Sequence, residues 1–225
     1  RFASPYDAEI ASVDAEIGRL VTYARAMPGR TLVVITADHG ESLGEHGESE
    51  HNRFVYEATN RVPLVMVLEG AIPAAKRLAT PVGHVDLFPT LLEFLALRRP
   101  EHADGISLAP ALRRGAEPER RPQYLETLVW SLENRHGIEV RAVLDGTYKL
   151  IETKGAAQTV AVELYDLAND PGELNNRAVS EPDLRRLLQE RLGLWSERLE
   201  KNGVPSRATL LDKGAVERLQ SLGYL

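Results

Sequence analysis

Residues 36–51 read Thr36-Ala37-Asp38-His39-Gly40-Glu41-Ser42-Leu43-Gly44-Glu45-His46-Gly47-Glu48-Ser49-Glu50-His51. They follow an apolar run, Thr31–Ile35, which predicts a buried strand over residues 31–37. An Asp-His pair at the carboxyl end of a strand, with a glycine-rich loop behind it, is typical of the ligand edge of an open α/β sheet. We therefore expect a functional site in residues 38–51, which we call the site loop.

The site loop is rich in groups that bind divalent metal ions. It holds three of the six histidines of the chain and five acids, namely His39, His46, His51, Asp38, Glu41, Glu45, Glu48 and Glu50. Carboxylate and imidazole together suit a hard or borderline divalent cation. An isolated Asp-His pair more often has a structural role, in which the Asp caps the next turn and the His binds backbone. Both interpretations stay open on these residues alone.

Composition excludes several classes of protein. The 225 residues are 43% apolar and 27% charged, which is ordinary for a globular protein of one large or two small domains. A net charge of −6 argues against a nucleic-acid-binding surface. The absence of cysteine excludes disulfides and thiolate metal sites. No apolar run reaches the roughly 18 residues of a membrane span, so none is predicted.

Apolar spacing and turn residues predict the other elements of the chain. The expected α/β elements are a helix capped by Ser4 and ended by Pro28-Gly29, a short helix over 54–60, a buried strand over Leu64–Leu68, and a helix capped by Asp86 that runs to about Leu97. The expected later elements are four antiparallel strands, Gln123–Val129, Gly137–Leu144, Tyr148–Glu152 and Val160–Asp166, a helix from Pro182 to about Asn202, and a terminal helix over Asp212–Leu222.

Several short motifs follow one another along nearly the whole chain. They are Asp38-His39-Gly40-Glu41, Gly44-Glu45-His46-Gly47 with His51, Tyr56-Glu57 with Arg61-Val62-Pro63-Leu64, His84–Leu92, Asp104–Leu108, Asp145–Ile151 and Glu163–Glu173. In this order they resemble landmarks of the sulfatases of the alkaline phosphatase superfamily. A single Asp-His-Gly would be a weak signal, whereas the ordered series is a specific one.

The resemblance implies a fold and a domain organisation. The fold class is α/β, with the C-terminal part of an alkaline-phosphatase-like three-layer sandwich followed by a small α+β antiparallel-sheet subdomain. We expect residues 1–117 to form the α/β part with the metal-site loop. Residues 118–225 are expected to form the antiparallel sheet and the C-terminal helices.

The resemblance also implies an activity, the metal-dependent hydrolysis of sulfate esters. Asp38 and His39 match metal ligands, and the family ion is usually calcium, although an imidazole ligand leaves room for manganese or zinc. His51 matches a position that assists the transferred group or its leaving oxygen, since an imidazole can protonate a departing alkoxide. The expected substrate is a sulfated small molecule or glycan, and the expected location is periplasmic or extracellular.

One departure from the family pattern concerns the nucleophile. Sulfatases carry a formylglycine made from Cys or Ser in a Cys/Ser-x-Pro-x-Arg motif, and this chain has neither Cys nor Ser-x-Pro-x-Arg. We therefore expect the chain to be the C-terminal part of a longer enzyme and to be inactive alone.

Two alternatives to a sulfatase stay open. The first is another hydrolase or transferase of the superfamily, such as a phosphodiesterase, a phosphonate monoester hydrolase or a phosphoethanolamine transferase. The second is a non-catalytic domain that binds a partner or an anionic glycan.

Structural roles are expected for most other polar residues. Glu57 and Arg61 are predicted to pair on one helical face, and Lys149 is predicted to be a solvated strand residue. His46 is expected to shape its loop, and Glu41 could support a ligand from behind. His84, His102 and His136 are predicted to be surface or turn histidines.

Overall fold

The chain forms a two-stranded and a four-stranded sheet together with five helices and two short 3-10 turns in the residues that the structure describes. The computed structural model describes residues 4–51, 53–101, 103–130, 137–155, 159–202 and 214. The elements are α1 (Pro5–Arg25), β1 (Val33–Thr36), a 3-10 turn (Glu45–Gly47), α2 (Glu57–Asn60), β2 (Leu64–Val67), a 3-10 turn (His84–Asp86), α3 (Leu87–Phe94), α4 (Ala109–Arg114), β3 (Gln123–Trp130), β4 (Gly137–Asp145), β5 (Tyr148–Lys154), β6 (Thr159–Asp166) and α5 (Pro182–Asn202). The predicted helix over Asp212–Leu222, apart from Gly214, and the histidines His102 and His136 lie outside the described residues.

The first helix begins where the sequence predicts. The Ser4 hydroxyl accepts the Asp7 backbone N–H at 3.1 Å, and the Asp7 carboxylate accepts the Ser4 N–H at 2.9 Å, which forms a capping box. Three of the apolar side chains that set the helical period are nevertheless more than half exposed, namely Ile10, Val13 and Leu20. Periodicity thus identifies the helix correctly, without these side chains being buried by the described residues.

Strands β1 and β2 form the two-stranded sheet that leads into the site loop. They pair antiparallel, with Val33 opposite Val67 and Thr36 opposite Leu64. Both were predicted to be buried, but their side chains are half-buried or exposed in the described chain. The prediction of strands was right, and the prediction of their burial was wrong.

Asp86 lies at the N-cap position of α3, and its side chain is a structural anchor. Its fully buried carboxylate makes no side-chain cap to α3 and instead accepts the N–H groups of Gly83 at 3.0 Å and Ile106 at 2.9 Å. It also binds the Arg121 guanidinium. Asp86 thus occupies the predicted N-cap position of α3 without a side-chain cap, and α3 ends at Phe94, before the predicted end near Leu97.

The four-stranded sheet is an antiparallel meander in the order β3-β4-β5-β6, as the sequence predicts. Successive side chains point to opposite faces, so the sheet has two apolar surfaces. One surface packs on α5 through Val143, Leu150, Leu164, Leu188 and Leu192, and the other buries Val55 against Val140, Ala142, Ile151 and Tyr165. The second surface thus holds the segment that follows the site loop against this sheet. The domain boundary at 117/118 lies between α4 and β3 and remains a prediction.

A tight turn at Asp170-Pro171-Gly172-Glu173 follows the sheet, again as the sequence predicts. The Asp170 carboxylate accepts the backbone N–H groups of Leu174 at 3.1 Å and Asn175 at 2.8 Å. These bonds hold the pKa of the Asp170 carboxyl below its usual value of 3.8. Glu173 closes the turn in the left-handed region, with a φ of 55°.

The variant Asp170→Asn tests the charge on this turn. Because the folded state lowers the Asp170 pKa, its stabilisation is fully present above the unfolded value of 3.8 and is lost as the pH falls through the lower folded value. The difference in free energy of unfolding between the wild type and Asp170→Asn should therefore be constant near neutral pH and shrink towards about pH 2. Urea unfolding at a series of pH values measures it. A difference that persists unchanged in acid would show that the carboxylate charge is not the cause.

Candidate metal and catalytic site

The backbone of the site loop is fixed by close contact with α2. The Gly40 N–H donates to the Thr59 carbonyl at 2.7 Å, and a Cβ at Gly40 would lie only 2.4 Å from the Ala58 carbonyl oxygen. Only glycine can therefore occupy this position without a shift of the backbone. Farther on, the loop closes on itself, with the Ser42 N–H bonded to Glu50 and the Gly44 N–H bonded to Glu48, both at 2.9 Å.

Three side chains of the loop converge into one half-buried cluster, His39, Glu41 and His51. The two imidazole rings stack with their centroids 3.9 Å apart, and His51 Nδ1 lies 2.7 Å from Glu41 Oε1. Each of the three residues offers one ligand atom, and these atoms all lie within 4.8 Å of one another. The loop thus brings the predicted catalytic histidine, His51, next to one of the two predicted metal ligands, His39, with the Glu41 carboxylate bound to His51. We call these three residues the His-Glu-His cluster.

Hydrogen bonds orient both rings of the cluster. His39 Nδ1 lies 3.0 Å from the Gly40 carbonyl, which can only accept, so Nδ1 carries the proton and Nε2 is left with a lone pair in the neutral ring. His51 Nδ1 donates to the Glu41 carboxylate, which leaves its Nε2 available for chemistry. A carboxylate behind an imidazole fixes the orientation of the ring.

Asp38 stands at the exposed edge of the cluster. Its carboxylate accepts the His39 N–H at 3.1 Å through Oδ1, and its Oδ2 lies 3.7 Å from His39 Nε2. Two ligand atoms at this separation can both reach a cation with bond lengths of about 2.1–2.5 Å. The Asp38 side chain is 74% exposed, so further ligands can approach it from the solvent side.

Two other histidines have structural contacts. His46, in the left-handed region with a φ of 54°, stacks on Tyr56 at 3.6 Å, and its Nε2 lies 3.1 Å from the Gly172 carbonyl. His84 Nε2 lies 2.9 Å from the carbonyl of Ala37, the residue before Asp38. His46 therefore ties the site loop to the turn after the four-stranded sheet, and His84 contacts the backbone just before the loop.

Lys149 was predicted to be solvated, and that prediction was wrong. It is fully buried, with Nζ 3.0 Å from Glu57 Oε1 and 2.9 Å from Glu173 Oε1. The prediction that Glu57 pairs with Arg61 was also wrong, since the Glu57 carboxylate binds Lys149 instead. Strand alternation could have revealed this, because Lys149 shares a face with the buried Ile151.

Two phenols, Tyr56 and Tyr165, lie in motifs that the sequence analysis names, but no role was predicted for their hydroxyl groups. The Tyr56 hydroxyl donates to Glu163 Oε2 at 2.8 Å, and burial together with this carboxylate raises the Tyr56 pKa. Burial and the charge of Glu163 likewise raise the pKa of Tyr165 to about 12. Both phenols stay protonated at neutral pH, and Tyr56 serves as the hydrogen-bond donor to Glu163.

The sequence matches a known protein family. The family described as N-sulphoglucosamine sulphohydrolase, C-terminal, matches residues 44–199, which is most of the chain. The chain belongs to the sulfatase family.

Individual relatives are sulfatases as well. Arylsulfatase K of Xenopus laevis is 30% identical over 193 residues, which cover 83% of this chain and 35% of that protein. N-acetylglucosamine-6-O-sulfatase of Bacteroides thetaiotaomicron is 30% identical over 229 residues, which cover 95% of this chain and 39% of that protein. This sulfatase chain therefore spans little more than a third of the length of these curated relatives.

Solved sulfatase structures confirm the predicted fold class. A structure in complex with its substrate, D-glucosamine-2-N,6-O-disulfate, matches with a TM-score of 0.75 at 28% identity, over 88% of this chain and 41% of that one. A 2-O GAG sulfatase matches with a TM-score of 0.66 at 28% identity, over 89% of this chain and 43% of that one. Among the described helices of this sulfatase, none is long and apolar enough to cross a membrane.

Proposed function

We propose that this sulfatase chain supplies part of the active site of an enzyme that hydrolyses sulfate esters with the help of a divalent cation. The observation that carries the proposal is the His-Glu-His cluster with Asp38 beside it, which gathers the predicted ligands and the predicted acid in one loop. The sulfatase relatives support the choice of sulfate over phosphate esters.

The residues present fit a divalent cation. Asp38 Oδ2 and His39 Nε2 are the proposed ligands, with the lone pair of Nε2 freed by the bond from Nδ1 to Gly40. When bound, the ion stabilises negative charge on the oxygens of the transferred sulfuryl group. Calcium is the proposed ion on family resemblance, and the imidazole ligand admits manganese or zinc. The remaining ligands and the formylglycine nucleophile are proposed to come from residues outside this sequence.

His51 is the proposed general acid. Its Nδ1–H is held by Glu41, so Nε2 of the protonated ring can pass its proton to the ester oxygen as the sulfur–oxygen bond breaks. Glu41 fixes the orientation of the ring through this contact. The neighbouring His39 stacks on one face of His51, which restricts its rotation.

The proposed substrate is a sulfated sugar. This choice is supported by the relative that is an N-acetylglucosamine-6-O-sulfatase and by the similar structure that binds a disulfated glucosamine. A periplasmic or extracellular location belongs to the same proposal through the family resemblance.

Metal removal tests the proposed function in the full-length protein that carries this sequence. Hydrolysis of an aryl sulfate and of glucosamine-6-sulfate should fall at least about 100-fold after chelation, because several kcal/mol of charge stabilisation are lost. Added Ca²⁺ should restore the rate, and Mn²⁺ and Zn²⁺ serve as comparisons. An aryl phosphate is the control substrate. A preference for the phosphate, or a rate that is insensitive to chelation, would contradict the proposal.

The role of His51 is tested by leaving groups of different basicity. His51→Gln should slow the hydrolysis of an alkyl sulfate by about 10²–10⁴-fold, the range of general acid catalysis. It should slow a nitrophenyl sulfate much less, because that leaving group departs without a proton. Equal losses on both substrates would assign His51 to binding instead of proton transfer.

A further inference from the structure

A lysine of the small sheet lies fully buried between two carboxylates. Lys149 on β5 donates a hydrogen bond to Glu57 Oε1 at 3.0 Å and forms an ion pair with Glu173 Oε1 at 2.9 Å. Lysine is almost never fully buried unless it is paired. Buried ionic groups often add no more stability than apolar residues of the same volume, so stability alone does not account for them. We call Lys149, Glu57 and Glu173 the charge clamp.

The charge clamp binds the start of α2 through both main chain and side chain. Glu57 is the first residue of α2, and its backbone N–H donates to Glu173 Oε2 at 2.6 Å. Glu173 thus binds the helix N-terminus with one oxygen and Lys149 with the other. Burial raises the pKa of the Glu173 carboxyl, and the Lys149 charge offsets part of that rise.

Residues 55–57 form the joint between the four-stranded sheet and the site loop. Val55 is buried in the apolar surface of the sheet, and Tyr56 donates to Glu163 on β6. The clamp adds a hydrogen bond from Lys149 to Glu57, and the strength of a hydrogen bond, unlike that of the apolar contact at Val55, depends on its angle. This bond therefore constrains the direction of α2 relative to β5.

The short helix α2 carries this position to the functional side chains. Gly40 is bonded to Thr59 and has no room beside Ala58, so its backbone must move with α2. Gly40 stands between His39 and Glu41 in the sequence. A shift of α2 therefore displaces the residues on both sides of Gly40, and Glu41 in turn holds His51.

We propose that the charge clamp positions the His-Glu-His cluster from the far side of α2. Lys149 is a positioning residue that acts through Glu57, Thr59 and Gly40. The positioning itself is independent of the reaction, and only its kinetic consequence rests on the proposed function.

The test compares clamp variants with a core variant that is also destabilised. Lys149→Met and Glu57→Gln disrupt the clamp, whereas Leu164→Ala removes a buried side chain from the opposite face of the same sheet. Correlation spectra of isotope-labelled histidine report the tautomer and the hydrogen bond of each ring. The His51 Nδ1–H signal, assigned by its absence in His51→Gln, should move or disappear in both clamp variants and stay in place in Leu164→Ala. In the full-length sulfatase, kcat should fall about 10- to 100-fold in the clamp variants with little change in KM.

Two results would overturn the clamp. One is a His51 signal that is identical to the wild type in the folded clamp variants, and the other is an equal change in Leu164→Ala. If Lys149→Met does not fold, Glu57→Gln decides, since it keeps the lysine and the shape of the side chain. If the wild-type protein hydrolyses no sulfate ester, the proposed function fails, while the histidine spectra still accept or reject the clamp.

Discussion

Asp38→Ala is expected to lower the metal-dependent rate of sulfate-ester hydrolysis by at least about 10³-fold in the full-length protein. Of the two proposed metal ligands, Asp38 supplies a negatively charged oxygen and His39 supplies a neutral nitrogen. Without the carboxylate the ion is bound weakly and off position, and the charge that develops on the sulfuryl oxygens is no longer stabilised. The rate constant and the calcium affinity are measured together, the latter by calorimetry.

Glu50→Gln is the matched control for this variant. Glu50 is an exposed acid at the other end of the same loop, so the substitution removes the same charge from the same segment. It should change the rate by no more than about twofold, because exposed charges are screened by salt and solvent. A full rate in Asp38→Ala, or an equal loss in Glu50→Gln, would reject Asp38 as a ligand.

The elements of the small sheet and α5 are predictable because local patterns determine them. Helix α5 occupies the predicted span Pro182–Asn202, and the four strands start and end within two residues of the predicted bounds. In both cases apolar residues recur with the period of the element, and turn residues mark its ends. Burial is a different matter, as α1 shows, because a helical period does not say which surface will cover it.

The geometry of the site is only partly predictable. The positions of Asp38, His39 and His51 in one loop follow from the sequence because they are neighbours along the chain. Glu41 could be expected near a ligand, but its bond to His51 depends on how the loop folds back. Lys149 and Glu57 are separated by 92 positions, and their contact exists only after the sheet and α2 dock. A period-two pattern places Lys149 on an inner face but cannot name its partners.

Lys149→Met is expected to lower the free energy of unfolding by about 3–5 kcal/mol at neutral pH, the usual loss when one partner of a buried ion pair is removed. The variant leaves Glu57 and Glu173 close together without a cation between them. Burial already raises the Glu173 pKa, so this carboxyl takes up a proton more readily than in the unfolded chain. Equilibrium denaturation in urea measures the loss, and Lys154→Met, which removes a partly exposed lysine from the same strand, is the control.

The pH dependence of this loss shows whether charge or packing is responsible. A raised folded pKa means that protonated Glu173 is favoured in the folded state, so stability falls as the pH rises from the unfolded value of 4.5 through the folded one. That fall should be larger and extend to higher pH in Lys149→Met, since the cation that opposes the rise of the Glu173 pKa is gone. The double variant Lys149→Met/Glu173→Gln should accordingly recover much of the free energy of unfolding that Lys149→Met loses at neutral pH. The coupling energy of the pair is the loss in the double variant minus the sum of the losses in the two single variants. A loss that is the same at all pH values, with no recovery in the double variant, would mean that Lys149 contributes through the packing of its methylenes. The charges of the charge clamp would then not hold the site loop in place.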